Sequence, residues 1–365
     1  MKDTLRVALT LEQCWHEVPG GTAIATIEAA KALLERADIE LIGVAARHRH
    51  PPPAAWRPPV EVRHLGLPRL ALYESWHRLR RPEIQRATGP VDVVHASTLA
   101  IPPRSAPLVV TIHDLAFVHH PQMFTPRGVS FFTRGLELAL RDADLVLCPS
   151  EATRRDCEKA GFETDRLRVV PHGVAERTVE PAQLEAMRER HGLDRPYVLW
   201  TGTVEPRKNL AGLLGAWREV DSDAELILVG PTGWNEDLEA RVQQAGERVR
   251  LLGFLPHDDL APLYAGAHVF CWPSFMEGFG LPVLEAMAQG TPVITSRGTS
   301  TEELARDAGL LVDPNDPGDI AGAITRVLED PLLAQQLRDA GRRRAREYSW
   351  TRSAALTVAA YQEVA

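Results

Sequence analysis

The sequence has few cysteines and lacks any long apolar run. Its 365 residues include only Cys14, Cys148, Cys157 and Cys271, without a CxxC pair or partnered histidines. This spacing argues against a zinc site or a disulfide framework and fits a reducing cytoplasm. The N-terminus does not resemble a signal peptide, because its apolar run is short and an acidic residue follows closely. No segment approaches the roughly 18 apolar residues that a membrane span needs.

Basic residues are outnumbered, since 41 Lys and Arg face 49 Asp and Glu for a net charge of -8. This balance argues against nucleic acid as a general partner. The segment from Arg47 to Arg86 is the exception, with nine arginines, no lysine and three acids. Trp56, Tyr73 and Trp76 lie among them. The segment is either a solvated loop surface or a patch that meets anionic lipid headgroups, with its aromatic rings at the interface.

Short apolar runs alternate with helical patterns along almost the whole chain. Continuous apolar strands between amphipathic helices indicate parallel sheets that are covered on both faces. Two such sets, in a chain longer than one core usually supports, predict an α/β fold of two Rossmann-like, doubly wound domains. The strands are predicted at 5–11, 39–45, 91–97, 108–114, 145–150 and 167–171, and then at 197–202, 225–230, 249–254, 269–274, 292–296 and 309–313.

The boundary between the two domains is predicted in the polar, proline-containing stretch between Pro171 and Pro196. We assign residues 1–174 to the first domain, 175–195 to a linker, 196–345 to the second domain and 346–365 to a C-terminal helix. In open α/β sheets, ligands lie beyond the carboxyl ends of the strands. The segments that follow the strands are therefore where chemistry is expected.

The segment SFMEGFGLPVLEAMAQGTPVITS combines a glycine loop, a helix start and two acids. Pro282 suits the start of a helix and Gly290 its end, so a helix over 281–289 is predicted, with an anion site at its first N–H groups. Glu277 lies in the loop, and Glu285 is expected on the first turn, reaching toward the loop. Two carboxylates would repel a bare phosphate, but they could accept hydrogen bonds from hydroxyls on either side of a diphosphate. The alternative is a helix-capping loop with dipole-favoured acids.

The segment GTVEPRKNL follows the first strand of the second half. Arg207 and Lys208 come after a proline turn and before a helical pattern. Two adjacent cations at a strand end could neutralise a diphosphate, Arg through its fork and Lys as a point charge. The alternative is a surface turn with ordinary charges.

Two segments of the first half place polar or flexible residues after a strand. His113 and Asp114 close an apolar strand, where the histidine could hydrogen-bond a substrate hydroxyl or could simply be structural. A metal site with His119 is conceivable, but no ligand spacing supports it. Gly20 and Gly21 resemble a phosphate turn without the full GxGxxG. They are interpreted as a flexible turn at the edge of a cleft, or as an ordinary strand-to-helix turn.

Together these motifs resemble the retaining glycosyltransferases of family 4, which have the GT-B fold. EGFGLPVLEAMAQGTPVITS resembles the C-terminal signature of that family, a Glu, seven residues and a second Glu with a Gly-rich loop between them. GTVEPRKNL matches its diphosphate loop, and HDL and the PGG turn match features of its acceptor domain. The resemblance spans nearly the whole chain. It implies two domains facing a cleft, the first binding the acceptor and the second the nucleotide sugar, with the C-terminal helix crossing back to the first.

The resemblance also implies roles for individual residues. Glu285 would hold the ribose and Glu277 the hydroxyls of the donor sugar. Arg207 and Lys208 would neutralise the leaving group, and their adjacency, unusual in the family, leaves their separate roles open. His113 would lie by the donor sugar and acceptor. The further donor-binding residues would be Gly278, Phe279, Gly280 and Leu281, Thr203 in the diphosphate loop, Leu255 in the base-contacting segment 253–260, and Gly20 and Gly21.

The implied reaction is hexose transfer from a nucleotide diphospho-sugar to a hydroxyl of a glycan or lipid-linked acceptor. The configuration would be kept by front-side attack, with a phosphate oxygen assisting the acceptor's proton. No cofactor is expected beyond this co-substrate, and no metal, because no Asp-x-Asp pair is present. The EPRKNL form is similar to mannosyl- and rhamnosyl-transferring members, which indicates GDP-mannose, and the arginine-rich segment suggests a cell-envelope glycan made at the inner membrane face. The alternatives are a hydrolase that uses both glutamates, a nucleotide-sugar epimerase, and a non-catalytic sugar-nucleotide-binding subunit.

Overall fold

A computed structural model describes residues 4–16, 20–175, 177–231, 238–255 and 257–365. Pro19 of the predicted glycine turn and Pro256 of segment 253–260 lie outside these ranges. The chain divides into two compact units, one formed by Met1–Gly173 with Trp350–Ala365 and the other by Val174–Ser349. We refer to them as the first and the second domain and describe each by itself.

The first domain is built on a parallel sheet of seven strands in the order β3-β2-β1-β4-β5-β6-β7. Alternate residues enter different cores, since Val93 and Val109 pack on one face and Val94 and Val110 on the other. Both faces are therefore covered, as the continuous apolar runs predict. The strands are β1 Leu5–Thr10, β2 Ile39–Ala45, β3 Val62–His64, β4 Val93–Ala96, β5 Leu108–Thr111, β6 Leu145–Cys148 and β7 Leu167–Val169.

The helices between these strands cover the sheet. Side-chain caps begin two of them, because Thr125 Oγ1 accepts a hydrogen bond from Gly128 N and Ser150 Oγ one from Thr153 N. These helices are α1 Gly20–Leu34, α2 Arg69–Glu74, α3 Gln85–Thr88, α4 Ala116–His119, α5 Pro126–Asp142 and α6 Glu151–Lys159.

The second domain repeats the plan with a parallel sheet of six strands in the order β10-β9-β8-β11-β12-β13. Its core contains the fully buried, stacked rings of Trp200, Phe270 and Trp272. The strands are β8 Tyr197–Thr201, β9 Glu225–Val229, β10 Val249–Gly253, β11 Val269–Trp272, β12 Val293–Ser296 and β13 Leu310–Val312. The helices are α7 Pro181–His191, α8 Leu210–Trp217, α9 Leu238–Ala245, α10 His257–Gly266, α11 Leu281–Gln289, α12 Ser300–Ala305, α13 Pro317–Glu329 and α14 Pro331–Ala345.

The strand order reverses once in each sheet, between β1 and β4 and between β8 and β11. Loops at the carboxyl ends of strands diverge at such a point and leave a crevice for a ligand. The segment Ser274–Ser296 begins at that position in the second domain, and the histidine segment after β5 lies one strand away from it in the first.

The domain limits differ from the predicted ones in the linker. Residues 175–195, predicted as a linker, contain α7, which packs on α10. That helix is polar and buries only Met187, so an apolar pattern does not reveal it. The last segment of the first domain is the helix α15, Trp350–Val364, which packs against α1. Within the described ranges, no helix combines the length and apolar character that crossing a membrane requires.

Candidate active site

The turn after β8 holds the two predicted cations in a defined backbone conformation. Gly202 has a φ of 144°, and a Cβ there would lie 2.7 Å from a ring carbon of Trp272. Pro206–Lys208 form one turn of 3₁₀ helix, after which Asn209 adopts a left-handed conformation. The Asn209 side chain accepts a hydrogen bond from Gly212 N and so begins α8. The backbone of Arg207 and Lys208 is therefore held at the carboxyl end of β8.

The loop before α11 carries Glu277 and ends at a helix start. Gly280 caps α11 with a φ of 105°, and a Cβ there would lie 2.6 Å from Thr301 Cγ2. Ser300 Oγ donates to the backbone oxygen of Glu277 over 2.7 Å. The N–H groups of Gly280 and Leu281 have no acceptor among the described residues. A helix start of this kind can bind an anion.

Glu277, Arg207 and Lys208 form one ion-pair cluster. Glu277 Oε2 lies 3.0 Å from Arg207 Nη1, and Glu277 Oε1 lies 3.4 Å from Lys208 Nζ. Ser274 Oγ donates to Glu277 Oε1 over 3.0 Å, and Arg207 Nε donates to Glu205 Oε2 over 2.9 Å. The structure thus brings Glu277 together with two residues that stand 70 and 69 positions before it in the chain.

Burial and ion pairing have opposite effects on the pKa values of the side chains in this cluster. Burial alone would raise the pKa of Glu277, but Lys208, Arg207 and the Ser274 hydroxyl outweigh it and lower that pKa to about 2. Burial also lowers the pKa of Lys208, and Glu277 opposes this effect. The Lys208 ammonium lies 4.5 Å from the centre of the Trp272 ring, which favours the charged form. Glu277 is consequently ionised at neutral pH and can accept hydrogen bonds but cannot donate one.

Glu285 lies on the same helix but in a different environment. It is the fifth residue of α11, so its expected place on the first turn is wrong, and that turn carries no acid. Tyr264 Oη donates to Glu285 Oε2 over 3.1 Å and lies 2.8 Å from Thr201 Oγ1. Burial raises the pKa of Glu285 to about 7, with Tyr264 and Arg177 opposing the rise. The two glutamates therefore differ in charge near neutral pH.

The other residues predicted to bind a donor contribute mainly backbone groups. The Phe279 side chain is buried against Tyr348, with ring centres 5.9 Å apart. Leu255, after β10, is also part of the core. Gly278 is buried in the loop before α11, and Thr203 is half-buried after β8. Phe279 and Leu255 can thus face a ligand only through their main chains.

His113 follows β5 in the first domain. Its Nε2 lies 3.0 Å from Ser97 O, and because a carbonyl only accepts, Nε2 carries the hydrogen and Nδ1 is the acceptor. Burial lowers the pKa of His113, although the Ser97 bond and Asp114 oppose this. The His172 ring lies 5.5 Å away. His113 is thus a neutral imidazole that can accept a hydrogen bond from a hydroxyl.

A pocket adjoins His113 at the carboxyl ends of the strands, and α15 completes it. His95 on its wall bonds to Tyr361 Oη and to Thr111 Oγ1, each over 2.7 Å. Burial lowers the pKa of His95 to about 3. The polar lining of the pocket consists of Thr26, His95, Ser97, Thr111, His113, His172, Ser353 and Thr357.

Gly20, Gly21 and His119 are the remaining predicted residues of the first domain. Gly20 and Gly21 are the first residues of α1, Gly20 with a φ of 64°, and a Cβ on either would meet no atom within 4 Å. His119 Nε2 lies 3.2 Å from Asp156 Oδ2. In the part of the chain that the structure describes, no three His, Cys, Asp or Glu side chains form a group that could hold a metal ion.

Comparisons with known proteins place this chain in a family. Family models match residues 19–177, described as Glycosyltransferase Family 4, and residues 184–344, described as Glycosyl transferases group 1. O-antigen chain mannosyltransferase B of Escherichia coli is 33% identical over 281 residues, which cover 74% of this chain and 74% of that relative. The chain belongs to glycosyltransferase family 4.

Other relatives of this glycosyltransferase cover more of its length. D-inositol 3-phosphate glycosyltransferase of Acidothermus cellulolyticus is 31% identical over 362 residues, 88% of this chain and 81% of the relative. The structure of Anabaena HepE in complex with UDP and glucose has a TM-score of 0.79 at 20% identity, covering 98% of this chain and 100% of HepE. The predicted GT-B fold of two doubly wound domains is thereby confirmed.

Sequence reasoning missed several side chains that support the site of this glycosyltransferase. Ser274 and Trp272 contact the charged cluster, Tyr264 contacts Glu285, and Thr201 contacts Tyr264. Ser274 had a usable signal, because it ends the predicted strand 269–274, three residues before Glu277. Tyr264 had none, since it stands 21 positions from its partner and on another helix.

The arginine-rich segment of this glycosyltransferase is mostly exposed, but its aromatic residues are not. Seven of the nine arginines are exposed, whereas Trp76 is buried, so the expectation of an interfacial ring there is wrong. Arg80 bonds to Asp142 and to main-chain oxygens, which makes it structural. The exposed large apolar side chains of this segment are Leu70 and Leu79, exposed by 55% and 70%.

Proposed function

We propose that this glycosyltransferase moves a hexose, with its anomeric configuration kept, from a nucleotide diphospho-sugar to a hydroxyl of a glycan or lipid-linked acceptor. The observation that carries the proposal is the ion-pair cluster of Glu277, Arg207 and Lys208 beside the start of α11. A diphosphate needs cations and N–H donors, and a sugar needs acceptors. This part of the second domain offers all three.

Donor binding would exchange the partners within this cluster. Arg207 and Lys208 would turn to the diphosphate, together with the N–H groups of Gly280 and Leu281. Glu277 would then accept hydrogen bonds from hydroxyls of the donor sugar, and its ionised state suits that role. The two cations stabilise the charge that develops on the leaving diphosphate. The ribose hydroxyls would bond to the second glutamate of the signature.

The cations beside Glu277 disfavour hydrolysis by two carboxyls. The pKa values alone would allow it, since Glu285 at about 7 could keep a proton as the acid and Glu277 at about 2 could act as the base. Hydrolysis would leave Arg207, Lys208 and the N–H groups at the start of α11 without a role. Incubation with a nitrophenyl glycoside should release no nitrophenol, and release that depends on Glu277 would favour the hydrolase.

The donor we propose is GDP-mannose. The support is the EPRKNL form of the loop and the similarity to the Escherichia coli relative, O-antigen chain mannosyltransferase B. The Anabaena structure holds UDP and glucose, so UDP is the nucleotide to compare with GDP. In a thermal-shift panel at one fixed nucleotide concentration, GDP should stabilise the protein more than UDP, dTDP or ADP, by about 2.7 kcal/mol where that concentration is a hundred times the dissociation constant. A larger effect of UDP would replace GDP, and no effect of any nucleotide would refute the proposed site.

The catalytic part of the proposal needs a separate assay. The protein should transfer mannose from GDP-mannose to a glycan acceptor, and the product should keep the α configuration in its NMR spectrum. Since Arg207 and Lys208 would replace a metal, activity should survive EDTA. Glu277→Gln should abolish transfer. Release of an epimer without acceptor would favour an epimerase, and binding without turnover would favour a non-catalytic subunit.

We further propose that the first domain acts at the inner membrane face. The support is the exposed pair Leu70 and Leu79 within the arginine-rich segment. Apolar side chains among arginines suit an anionic lipid surface. The double variant Leu70→Ser/Leu79→Ser should no longer sediment with phosphatidylglycerol vesicles at low salt. Leu332→Ser, at a 77% exposed leucine of the second domain, is the matched control, and an equal loss with it would contradict the proposal.

A further inference from the structure

The Tyr264 hydroxyl lies between two side chains of the donor domain. It is 2.8 Å from Thr201 Oγ1 at the end of β8 and 3.1 Å from Glu285 Oε2 on α11. Tyr264 itself belongs to α10 and is 3% exposed. We propose that Tyr264 is a positioning residue that holds Glu285 as an oriented, ionised acceptor for the nucleotide ribose. This inference rests on the proposed role of Glu285.

The direction of the hydrogen bonds follows from the chemistry of the three groups. An ionised carboxylate only accepts, so Tyr264 must donate to Glu285. The tyrosine has one hydrogen, so Thr201 must donate to the tyrosine oxygen. We call these two hydrogen bonds, from Thr201 to Tyr264 and from Tyr264 to Glu285, the relay. The relay occupies Oε2 of Glu285, while Oε1 receives no hydrogen bond from the described residues. One oxygen is thus anchored and the other is available to a ribose hydroxyl.

The tyrosine is itself held in place. Its ring meets the ring of Phe270 edge-on, with centres 5.4 Å apart. Its backbone oxygen accepts a hydrogen bond of 2.6 Å from Thr291 Oγ1, a buried side chain two residues after α11. The hydroxyl therefore has little freedom to move away from Glu285. A rigid partner of this kind fixes the orientation of a ligand-binding group.

The relay also bears on the charge of Glu285. Burial raises the pKa of this carboxyl to about 7, and the Tyr264 bond and Arg177 oppose the rise. The backbone oxygen of Arg177 accepts a hydrogen bond from Gln289 on the same helix, which keeps the segment near α11. If Glu285 is protonated, it becomes a donor toward Tyr264 and the relay reverses. Because the hydrogen bond from Tyr264 lowers the pKa of Glu285, removing the tyrosine hydroxyl favours the protonated state.

The test measures GDP binding by calorimetry between pH 5.5 and 9, with UDP as a second probe. In Tyr264→Phe, the pH at which half of the affinity is lost should rise by about one unit. The affinity should fall about fivefold at pH 7, because about a tenth rather than a half of Glu285 would be ionised. The affinities of variant and wild type should converge at pH 9. A purely structural role would reduce the affinity equally at every pH.

The matched control is Tyr197→Phe. Tyr197 is also fully buried in this domain, and its hydroxyl donates to the backbone oxygen of Leu263, next to Tyr264 in the chain. Its removal should leave the pH profile unchanged. An equal shift with both variants, or a loss with Tyr264→Phe that does not depend on pH, would overturn the inference.

Two more variants complete the experiment. Thr201→Val removes the other end of the relay and should shift the profile in the same direction by a smaller amount, so it serves if Tyr264→Phe does not fold. Glu285→Gln separates the two proposals. If it binds GDP as the wild type does, the proposed ribose role fails. If it weakens binding while Tyr264→Phe does not, only the role of Tyr264 fails.

Discussion

Replacing Glu277 with glutamine should change stability in a pH-dependent manner, even without substrate. The pKa of Glu277 is about 2 in the folded protein against an ordinary value of 4.5. Because a lowered folded-state pKa stabilises the fold above the unfolded value, the carboxylate contributes about 3 kcal/mol at pH 7. That contribution is lost as the pH falls from 4.5 toward 2, and between about 1 and 2 kcal/mol remains at pH 3. Glu277→Gln removes it and leaves the partly buried Arg207 and Lys208 without this partner.

The assay is urea unfolding followed by tryptophan fluorescence, which reports on the second domain through buried rings such as Trp272. The free energy of unfolding of Glu277→Gln should lie about 3 kcal/mol below the wild type at pH 7 and approach it at pH 3. Glu225→Gln is the control, because Glu225 pairs with Arg250 at 3.2 Å and is similarly buried, with 15% of its side chain exposed against 10% for Glu277. The reasoning would be refuted if the difference in the free energy of unfolding between Glu277→Gln and the wild type stayed constant with pH. A difference no larger than that of Glu225→Gln would refute it too.

Two further predictions concern stability, one in each domain. Gly280→Ala should lower the melting temperature and weaken GDP binding, since the added Cβ would lie 2.6 Å from Thr301 Cγ2 at a φ of 105°. The control is Gly322→Ala in α13, which should be neutral or stabilising because the added Cβ meets no atom within 4 Å. Equal effects of the two variants would contradict this prediction. Tyr361→Phe should destabilise the first domain by about 1–3 kcal/mol in urea, because it leaves the buried Nδ1 of His95 without its partner; an unchanged midpoint would argue against that bond.

Most of the fold could be predicted from the sequence because its signals are local. All twelve predicted strands are present, since each is a short apolar run that ends at a residue unsuited to a strand. The bounds of α11 match the prediction at both ends, because Pro282 fits the start of a helix and Gly290 adopts the left-handed conformation that ends it. The strand β3 is absent from the prediction because three residues at a sheet edge carry too little pattern.

The candidate site shows where such reasoning stops. The sequence predicts Glu277 and Glu285 as a pair of ligands, which stays a prediction. It could not show that one is held ionised by two cations and the other lies under a tyrosine, because these partners come from distant segments. The same residue type therefore has a pKa of about 2 at one position and about 7 at the other.

The sequence by itself determined the two α/β domains, the family and the chemical groups available at the strand ends. These properties depend on side-chain pattern and local backbone preference, which short segments carry. Only the tertiary structure decided which groups meet, as with Arg207 beside Glu277 or Tyr264 beside Glu285. Burial and neighbouring charge set the protonation of a carboxyl, and both arise only when distant parts of the chain pack together.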